Sequence, residues 1–355
     1  MTPGSCRTAA TVAATRGPTI VLTRHPRQTR WTPARQRRRG IALAGALALA
    51  VTGCGSSDDG TPSSGGAESL DAVTAGIVPV VDSAPIYLGQ QQGFFEDPGI
   101  DLTLQSGQGG AAIVPGVVNG TFQFGFGNVT SVLLAADQGL PLEIVAGGVA
   151  STGEAGADFS GVVARPDSGI ATAADLAGKR VAVNTLNNIG TTTINESVRK
   201  AGGDPASIQY VELPFADMPA ALDQGNVDAV WVVEPFLTVA AGGGGRVVAS
   251  NYVDAADDLT VAVYFTSAQL AADDPDLVDR FQAAMTQSLE YARQNPDATR
   301  AILTEYTDIE QSVLDSLQLP EWPTEINRDS IETLAELGVA DGLLTRVPDL
   351  AQLLP

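Results

Sequence analysis

The sequence predicts an α/β protein with two doubly wound lobes joined by two crossing strands. Short β-rich stretches alternate with helical stretches along most of the chain, which favours parallel sheets covered by helices. Two such series occur, and an isolated apolar strand follows each of them. About 290 residues lie beyond the N-terminal segments, enough for two lobes with cores of their own.

The first lobe is predicted over residues 70–160 and 263–355. Ser83 and Pro85 mark the start of its first helix, and Gly93 follows the end of that helix near Gln92. The other elements expected in its first part are strands Ala72–Val78, Ile100–Leu104, Phe122–Phe126 and Leu142–Ala146, and helices Ala111–Val118 and Thr130–Gln138.

The second lobe is predicted over residues 161–262. Gly161–Ala164 and Val261–Thr266 are expected to be the crossing strands. Between them we expect strands Lys179–Val183, Ile208–Glu212, Ala229–Val233 and Val247–Ala249, and helices Thr172–Leu176, Thr191–Ala201, Ala216–Gln224 and one opened by Glu234-Pro235. Helices Pro275–Asn295, Pro296–Tyr306, Ile309–Leu317 and Arg328–Leu337 follow and are expected to pack on the first lobe.

The N-terminal segment has the features of a bacterial lipoprotein export signal. Three arginines, Arg37–Arg39, precede the apolar run Ile41–Val51, which is too short to span a bilayer stably. We expect residues 1–53 to be a signal peptide, Cys54 to carry lipid, and the Gly/Ser-rich residues 54–69 to form a flexible tether. The alternative is a weak membrane anchor with an incidental cysteine. The protein is thus expected to be exported and held at the outer face of the cytoplasmic membrane.

Composition excludes several classes of function. From Cys54 onward the chain holds 11 basic and 41 acidic residues, a net charge near −30, which disfavours binding to nucleic acid. The only histidine, His25, lies in the leader with Cys6. Lipidation of Cys54 leaves no free thiol, so Ser-His-Asp catalysis, Cys-His catalysis and the usual zinc sites are excluded. We expect no enzyme activity, no cofactor and no metal, although a carboxylate-only Ca²⁺ or Mg²⁺ site stays formally open.

Four segments resemble the extracytoplasmic substrate-binding proteins of ABC importers, in the group that serves nitrate, taurine, alkanesulfonates and thiamine-type pyrimidines. The resemblance covers roughly residues 70–340 and implies a type II periplasmic-binding fold without catalysis. It also implies a small-molecule solute as ligand, and an ABC permease with its ATPase as partners; we expect a monomer. The segments are Ala84–Phe95 with Gly99–Leu102, Asn119–Gly127, Ala174–Val183 and Asp223–Phe236.

Three loops of the first lobe, Pro79–Ser83, Ser106–Ala111 and Gly127–Thr130, are expected to face a cleft between the lobes. Glycines in Ser106–Ala111 let backbone N–H groups approach a ligand, although a plain turn would look the same. For the side chains in Gly127–Thr130 we expect either hydrogen bonds to the ligand or helix capping alone. For Tyr87 we expect either stacking on the ligand or a place in the core. The candidate contacts are Asp82, Ser83, Tyr87, Gln108, Gly109, Gly110, Asn128 and Thr130.

In the second lobe, the loop Asn184–Thr192 places uncharged polar groups before a helix. Its N–H groups suit an oxyanion or a neutral heterocycle, but a capped loop would look the same. Trp231 stacks on ligand or belongs to the core, and Glu234 accepts hydrogen bonds from a ligand amino group or stabilises a first helical turn. The candidates are Asn184, Asn187, Asn188, Gly190, Thr191, Trp231 and Glu234.

The charge of these loops favours a neutral or amine-bearing heterocycle. No Lys or Arg occurs in them, while Asp82, Asp217 and Glu234 lie in or near them. Sulfonates and nitrate remain open because helix N-termini bind oxyanions. A sensory or adhesion lipoprotein with the same fold is an alternative function. An enzyme of pyrimidine synthesis is disfavoured, since that branch uses an active-site His and a Cys-rich motif.

Overall fold

The computed structural model describes residues 70–354. The predicted signal peptide, the tether and the lipidation site Cys54 lie outside these residues. Within residues 70–354, no helix combines the length and the apolar character needed to cross a membrane.

Ten strands and thirteen α-helices alternate along the described chain. The strands are β1 Asp71–Ile77, β2 Ile100–Ser106, β3 Phe124–Asn128, β4 Leu142–Ala150, β5 Ser160–Ala164, β6 Arg180–Val183, β7 Gln209–Glu212, β8 Ala229–Val233, β9 Arg246–Ala249 and β10 Thr260–Ser267. The helices are α1 Ala84–Gln92, α2 Gly110–Val118, α3 Val129–Asp137, α4 Ile189–Lys200, α5 Met218–Asp223, α6 Phe236–Gly242, α7 Asn251–Ala255, α8 Ala268–Asp273, α9 Pro275–Gln294, α10 Pro296–Ile302, α11 Gln311–Leu314, α12 Arg328–Ala340 and α13 Leu350–Leu353.

The strands form two five-stranded sheets of matching topology. The first has the order β2-β1-β3-β10-β4 and the second the order β7-β6-β8-β5-β9. In each sheet the first three strands are parallel, and the fourth is antiparallel to both of its neighbours. The fourth strand of the first sheet, β10, comes after all strands of the second sheet. The predicted α/β class with two lobes is confirmed.

Two connections carry the chain between the sheets, over residues 151–159 and 250–259. They lie side by side, because the Ser151 N–H donates to the Leu259 carbonyl at 2.9 Å. The Asp158 carboxylate fixes the first connection by accepting from the Ser151 hydroxyl at 2.8 Å and from the Thr152 and Phe159 N–H groups at 3.0 Å each. Paired connections of this kind permit hinge motion of two lobes. β5 and β10, the predicted crossing strands, each follow one connection and lie antiparallel to both neighbours inside the sheets.

The C-terminal helices cover the first sheet, as predicted, but α12 also reaches the second lobe. Phe281 of α9 stacks on Phe124 of β3 with ring centroids 3.7 Å apart. Beyond the end of α12, Asp341 forms a 2.7 Å ion pair with Arg199 of α4 and accepts from the Asn195 amide at 2.9 Å. This ion pair ties the two lobes together away from the crossing connections.

Several predicted boundaries need correction. β3 begins at Phe124 rather than Phe122, and α4 begins at Ile189, two residues earlier than predicted. The helix expected over Ile309–Leu317 is reduced to one turn. The short helices α7, α8 and α13 were not predicted, because four to six residues show too little of a 3.6-residue period.

Replacement of Phe281 by Ala should lower the free energy of unfolding by about 3–5 kcal/mol, since it leaves a cavity under the α9 helix. Phe281 is fully buried against Phe124, Phe95 and Tyr264. Urea denaturation measures the change. Gln287→Ala, at an exposed position of the same helix, is the control. Equal stability of the two variants would contradict the packing described here.

Candidate functional site

A narrow cavity of about 40 Å³ lies between the two sheets. It takes residues from both sheets and from the crossing connection that contains α7. Its lining is Val78, Val80, Asp82, Gly109, Gly110, Phe126, Gly127, Asn128, Asn184, Ile189, Phe215, Trp231, Val233, Tyr252, Val261 and Ala262. Six predicted contact residues are therefore brought together here: Asp82, Gly109, Gly110, Asn128, Asn184 and Trp231.

The carboxyl ends of the parallel strands position this lining. The chain leaves β1 toward Asp82, β3 ends at Asn128, Asn184 follows β6 and Val233 ends β8. Ligands of α/β sheets bind at this edge because the following loops and helix N-termini converge there. The close approach of α2 to β3 requires glycine, since a Cβ on Gly127 would lie 2.7 Å from the Gly110 Cα.

Hydrogen bonds across the cleft hold the lobes close together. The Asn184 side-chain amide donates to the Gln108 carbonyl at 3.1 Å. The Asn188 amide donates to the Ser131 hydroxyl, also at 3.1 Å. A cavity this narrow has room for only a few water-sized groups, since one water needs about 10–15 Å³. A larger solute therefore enters only when these bonds open.

Asp82 is the acidic residue of the cavity. It is 6% exposed, and its Oδ1 has no hydrogen-bond partner. Burial raises the pKa of Asp82 to about 7, the hydrogen bond with its own backbone N–H opposes the rise, and the charge of Asp158 adds to it. The hydrogen-bonded Asp158 also has a raised pKa, because desolvation outweighs its four donors. The cleft thus contains a buried carboxyl group without a compensating cation.

Aromatic side chains fix one wall of the cavity. The Trp231 ring lies edge-on to Phe215 at 5.4 Å and to Tyr252 at 6.1 Å, and its Nε1–H donates to Ser160 Oγ at 2.9 Å. Gly190 allows α4 to pack on the indole, because a Cβ there would lie 2.4 Å from the ring. Trp231 thus presents a rigid apolar surface, and its nitrogen is already paired within the protein.

Glu234 lies next to this wall but does not line the cavity. Its carboxylate accepts from the Thr238 N–H at 3.0 Å, the Thr238 hydroxyl at 2.8 Å and the Gln318 N–H at 3.1 Å. Burial raises the pKa of Glu234, while these donors and Arg300 oppose the rise. With its oxygens occupied, Glu234 links the first turn of α6 to the C-terminal region. Of the two roles expected from the sequence, this geometry matches stabilisation of the first helical turn and not contact with a ligand amino group.

The other predicted contact residues do not line the cavity, and most of them make contacts within the protein. The Ser83 hydroxyl donates to the Val78 carbonyl at 2.6 Å rather than capping α1, and Tyr87 stacks on Tyr306 at 4.0 Å. Thr191 shares a capping box with Asn188, and Thr130 is buried with its hydroxyl unpaired. Asn187 is exposed in the left-handed region at φ 52°, Gln108 contributes its carbonyl to the cleft, and Gly190 lies under the indole.

Several apolar residues of the lining are not among the predicted contacts. Phe126 belongs to a predicted strand and Ile189 to a predicted loop, and an apolar side chain at such a position indicates the hydrophobic core rather than a ligand contact. Tyr252 lies on the unpredicted helix α7, so no signal placed it near the cleft. Val80 lies within the loop Pro79–Ser83 that is predicted to face the cleft, and Val78 directly precedes this loop.

The cavity lining contains no Lys, Arg or His among the described residues. Nor do residues 70–354 contain a cluster of three or more His, Cys, Asp or Glu placed to hold a metal. A groove of about 780 Å³ occurs elsewhere, between the start of edge strand β4 and the C-terminal residues 346–353. It takes residues from the first lobe alone, so closure of the lobes cannot enclose a ligand there.

Comparisons with known proteins agree on the fold. A family model described as "NMT1/THI5 like" matches residues 80–299, more than half of the chain. The alkanesulfonate-binding protein SsuA from Xanthomonas axonopodis pv. citri, solved with bound MOPS, superposes with a TM-score of 0.68 at 18% identity, covering 81% of this chain and 99% of SsuA. No curated protein matches the chain significantly in sequence.

Two further solved structures are similar. The aliphatic sulphonate-binding protein SsuA from Escherichia coli has a TM-score of 0.64 at 21% identity, over 80% of this chain and 97% of that one. The nitrate-binding protein NrtA from Synechocystis PCC 6803 has a TM-score of 0.67 at 14% identity, over 78% and 82%. The type II periplasmic-binding fold expected from the sequence is confirmed.

The stability of the protein should fall as the pH rises through the pKa of Asp82. The folded-state pKa of about 7 lies above the ordinary 3.8, so the folded state retains a proton that the unfolded state has lost. Between pH 5 and pH 8 the wild type should lose about 2–3 kcal/mol relative to Asp82→Asn, at 1.36 kcal/mol per pKa unit. Urea denaturation of both proteins across this range tests it. A pH-independent difference would contradict the burial of an unpaired carboxyl group.

Proposed function

Because the chain belongs to the NMT1/THI5-like family, we propose that it is the extracytoplasmic solute-binding protein of an ABC importer. It closes its cleft on a small polar or heterocyclic solute and delivers that solute to a permease coupled to an ATPase. The candidate solutes are aliphatic sulfonates, taurine, nitrate and pyrimidines. The protein acts as a monomer and binds its solute without converting it.

The cavity shared by both lobes is the observation that carries this proposal. Loops from the two sheets meet at one narrow space and are hydrogen-bonded across it through Asn184 and Asn188. These hydrogen bonds form only when the lobes are close. A solute in the cavity would contact both lobes and would therefore stabilise the closed arrangement. We assign residues 70–160 and 263–355 to the first lobe and 161–262 to the second, with the connections between them as hinge.

The chemistry of the chain favours binding over catalysis. No His or Cys occurs after Cys54, and the cavity is lined mainly by apolar groups, glycines and two amides. An enzyme of pyrimidine synthesis on this scaffold would use an active-site His and a Cys-rich motif, and that lining contains neither residue type. A sensory or adhesion lipoprotein is the alternative role, and it would share the cleft while requiring no permease.

A solute that binds the cleft should stabilise the protein and be recovered intact. At 100 times its dissociation constant a ligand adds about 2.7 kcal/mol of stability. Thermal shift of the purified exported protein against alkanesulfonates, taurine, nitrate, aminopyrimidines, thiamine and small amines measures this. Mass spectrometry of the released solute distinguishes binding from conversion. Stabilisation by none of these solutes, or chemical change of a bound one, would argue against the proposal.

We further propose that lipid on Cys54 anchors the protein to the outer face of the cytoplasmic membrane, with residues 54–69 as tether. The Cys54→Ala variant should then appear in the soluble fraction, because one missing lipid-bearing thiol removes the anchor. Membrane fractionation in the producing bacterium measures the distribution. Cys6→Ala is the matched control and should stay membrane-bound. Retention of Cys54→Ala in the membrane would indicate that the apolar run 41–51 is the anchor.

A further inference from the structure

Among the cavity-lining groups, Asp82 carries the largest desolvation penalty, because its carboxyl group is buried and one oxygen has no hydrogen-bond partner. Its Oδ1 faces no donor, although the side chain is 94% buried and borders the cavity. Buried carboxylates elsewhere in the described chain are satisfied: Asp158 accepts from Ser151, Thr152 and Phe159, and Glu234 from Thr238 and Gln318. A buried acceptor without a partner in the protein points to a partner that the protein binds.

The surroundings of Asp82 supply no positive charge. The titratable groups that interact with it are the carboxyl group of Asp158 and the phenols of Tyr252, Tyr264 and Tyr306. The Tyr264 hydroxyl is also buried without a partner. An ionised Asp82 in this setting is stabilised best by a cation that enters the cleft.

Helix termini at the cavity offer little to an anion. The starts of α3 and α4 are occupied by the side chains of their own N-caps, Asn128 and Asn188. Of the three helices α2, α3 and α4, α2 alone begins without a side-chain cap, at Gly109. An anionic solute would therefore have only the uncapped starts of α2 and α1, and at α1 it would lie close to the carboxyl group of Asp82.

We propose that the solute carries a cationic nitrogen, an amine or an amidine, whose N–H donates to Oδ1 of Asp82, and that Asp82 selects the solute through this bond. The inference rests on the proposed solute-binding function and specifies its ligand class. The charge-assisted hydrogen bond satisfies the unpaired oxygen and neutralises the buried charge in one step. The apolar wall at Trp231 and Phe215 then contacts the uncharged part of the solute.

The proposal fixes the direction of the pH dependence. A cationic solute binds the ionised carboxylate, so its dissociation constant should increase about tenfold for each pH unit below the Asp82 pKa of about 7. A protonated Asp82 would instead donate its O–H to an anion, and an anionic solute would bind more tightly below pH 7. The sign of the slope separates the two ligand classes.

The experiment compares solutes matched in size and opposite in charge. Ethylamine and acetamidine form one series, ethanesulfonate and nitrate the other, each measured by thermal shift and calorimetry on the full-length exported protein from pH 5 to pH 8. Sodium chloride at equal ionic strength controls for screening. We expect stabilisation by the amine series only, strengthening with pH.

Two Asp→Asn variants complete the test. Asp82→Asn should weaken binding of the amine series more than tenfold. Asp137→Asn removes the same charge at a partly exposed site outside the cavity, where Asp137 accepts from the Thr345 hydroxyl, and should leave binding unchanged within twofold. If Asp82→Asn fails to fold, the pH slope of the wild type decides on its own.

The possible failures are distinguishable. Stabilisation by ethanesulfonate or nitrate that strengthens below pH 7 would overturn the assigned ligand class and leave the solute-binding function standing. Amine binding that survives Asp82→Asn would also overturn the role of Asp82. Stabilisation by neither series, together with a failure of the wider solute panel, would overturn the ligand class and the proposed function alike.

Discussion

The insertion of β10 into the first sheet is the constraint on which the rest of the architecture depends. This strand lies between β3 and β4, yet the chain reaches it only after completing the second lobe. The chain must therefore leave the first lobe and return, which produces two connections that run side by side. Those connections keep the carboxyl edges of both sheets facing one another, and the cavity is the space between these edges.

Closure of the cleft and the burial of the Asp82 carboxyl group depend on the same loops at the strand ends. The same loops that line the cavity also make the bonds between the lobes, since Asn184 and the Asn128–Ser131–Asn188 group lie at the strand ends. In this arrangement Asp82 is buried, and its burial raises its pKa. A solute that neutralises Asp82 would therefore favour the closed arrangement, which is the coupling a solute receptor requires.

Three buried acids near the cleft differ in their hydrogen-bond donors, and this difference distinguishes structural roles from a recognition role. The donors to Asp158 come from its own connection, and those to Glu234 come from Thr238 and from the distant Gln318, so these carboxylates hold the hinge and the start of α6 in place. Asp82 has only its own backbone N–H, and its second oxygen is unpaired. In sequence all three are acids near strand ends, and no local pattern distinguishes them.

The sequence by itself determined the α/β class, the order of most strands and helices, and the loops that face the cleft. It did so because strand and helix periods, helix-ending glycines and N-capping residues act over a few neighbours. Tertiary structure decided the antiparallel placement of β5 and β10, the short helix α7 with Tyr252, and the partners of each buried acid. Hydrogen-bond partners such as Gln318 for Glu234 are 84 positions away in sequence, and only folding brings them together. Whether a buried acid such as Asp82 remains unpaired depends on whether the fold places a hydrogen-bond donor beside it.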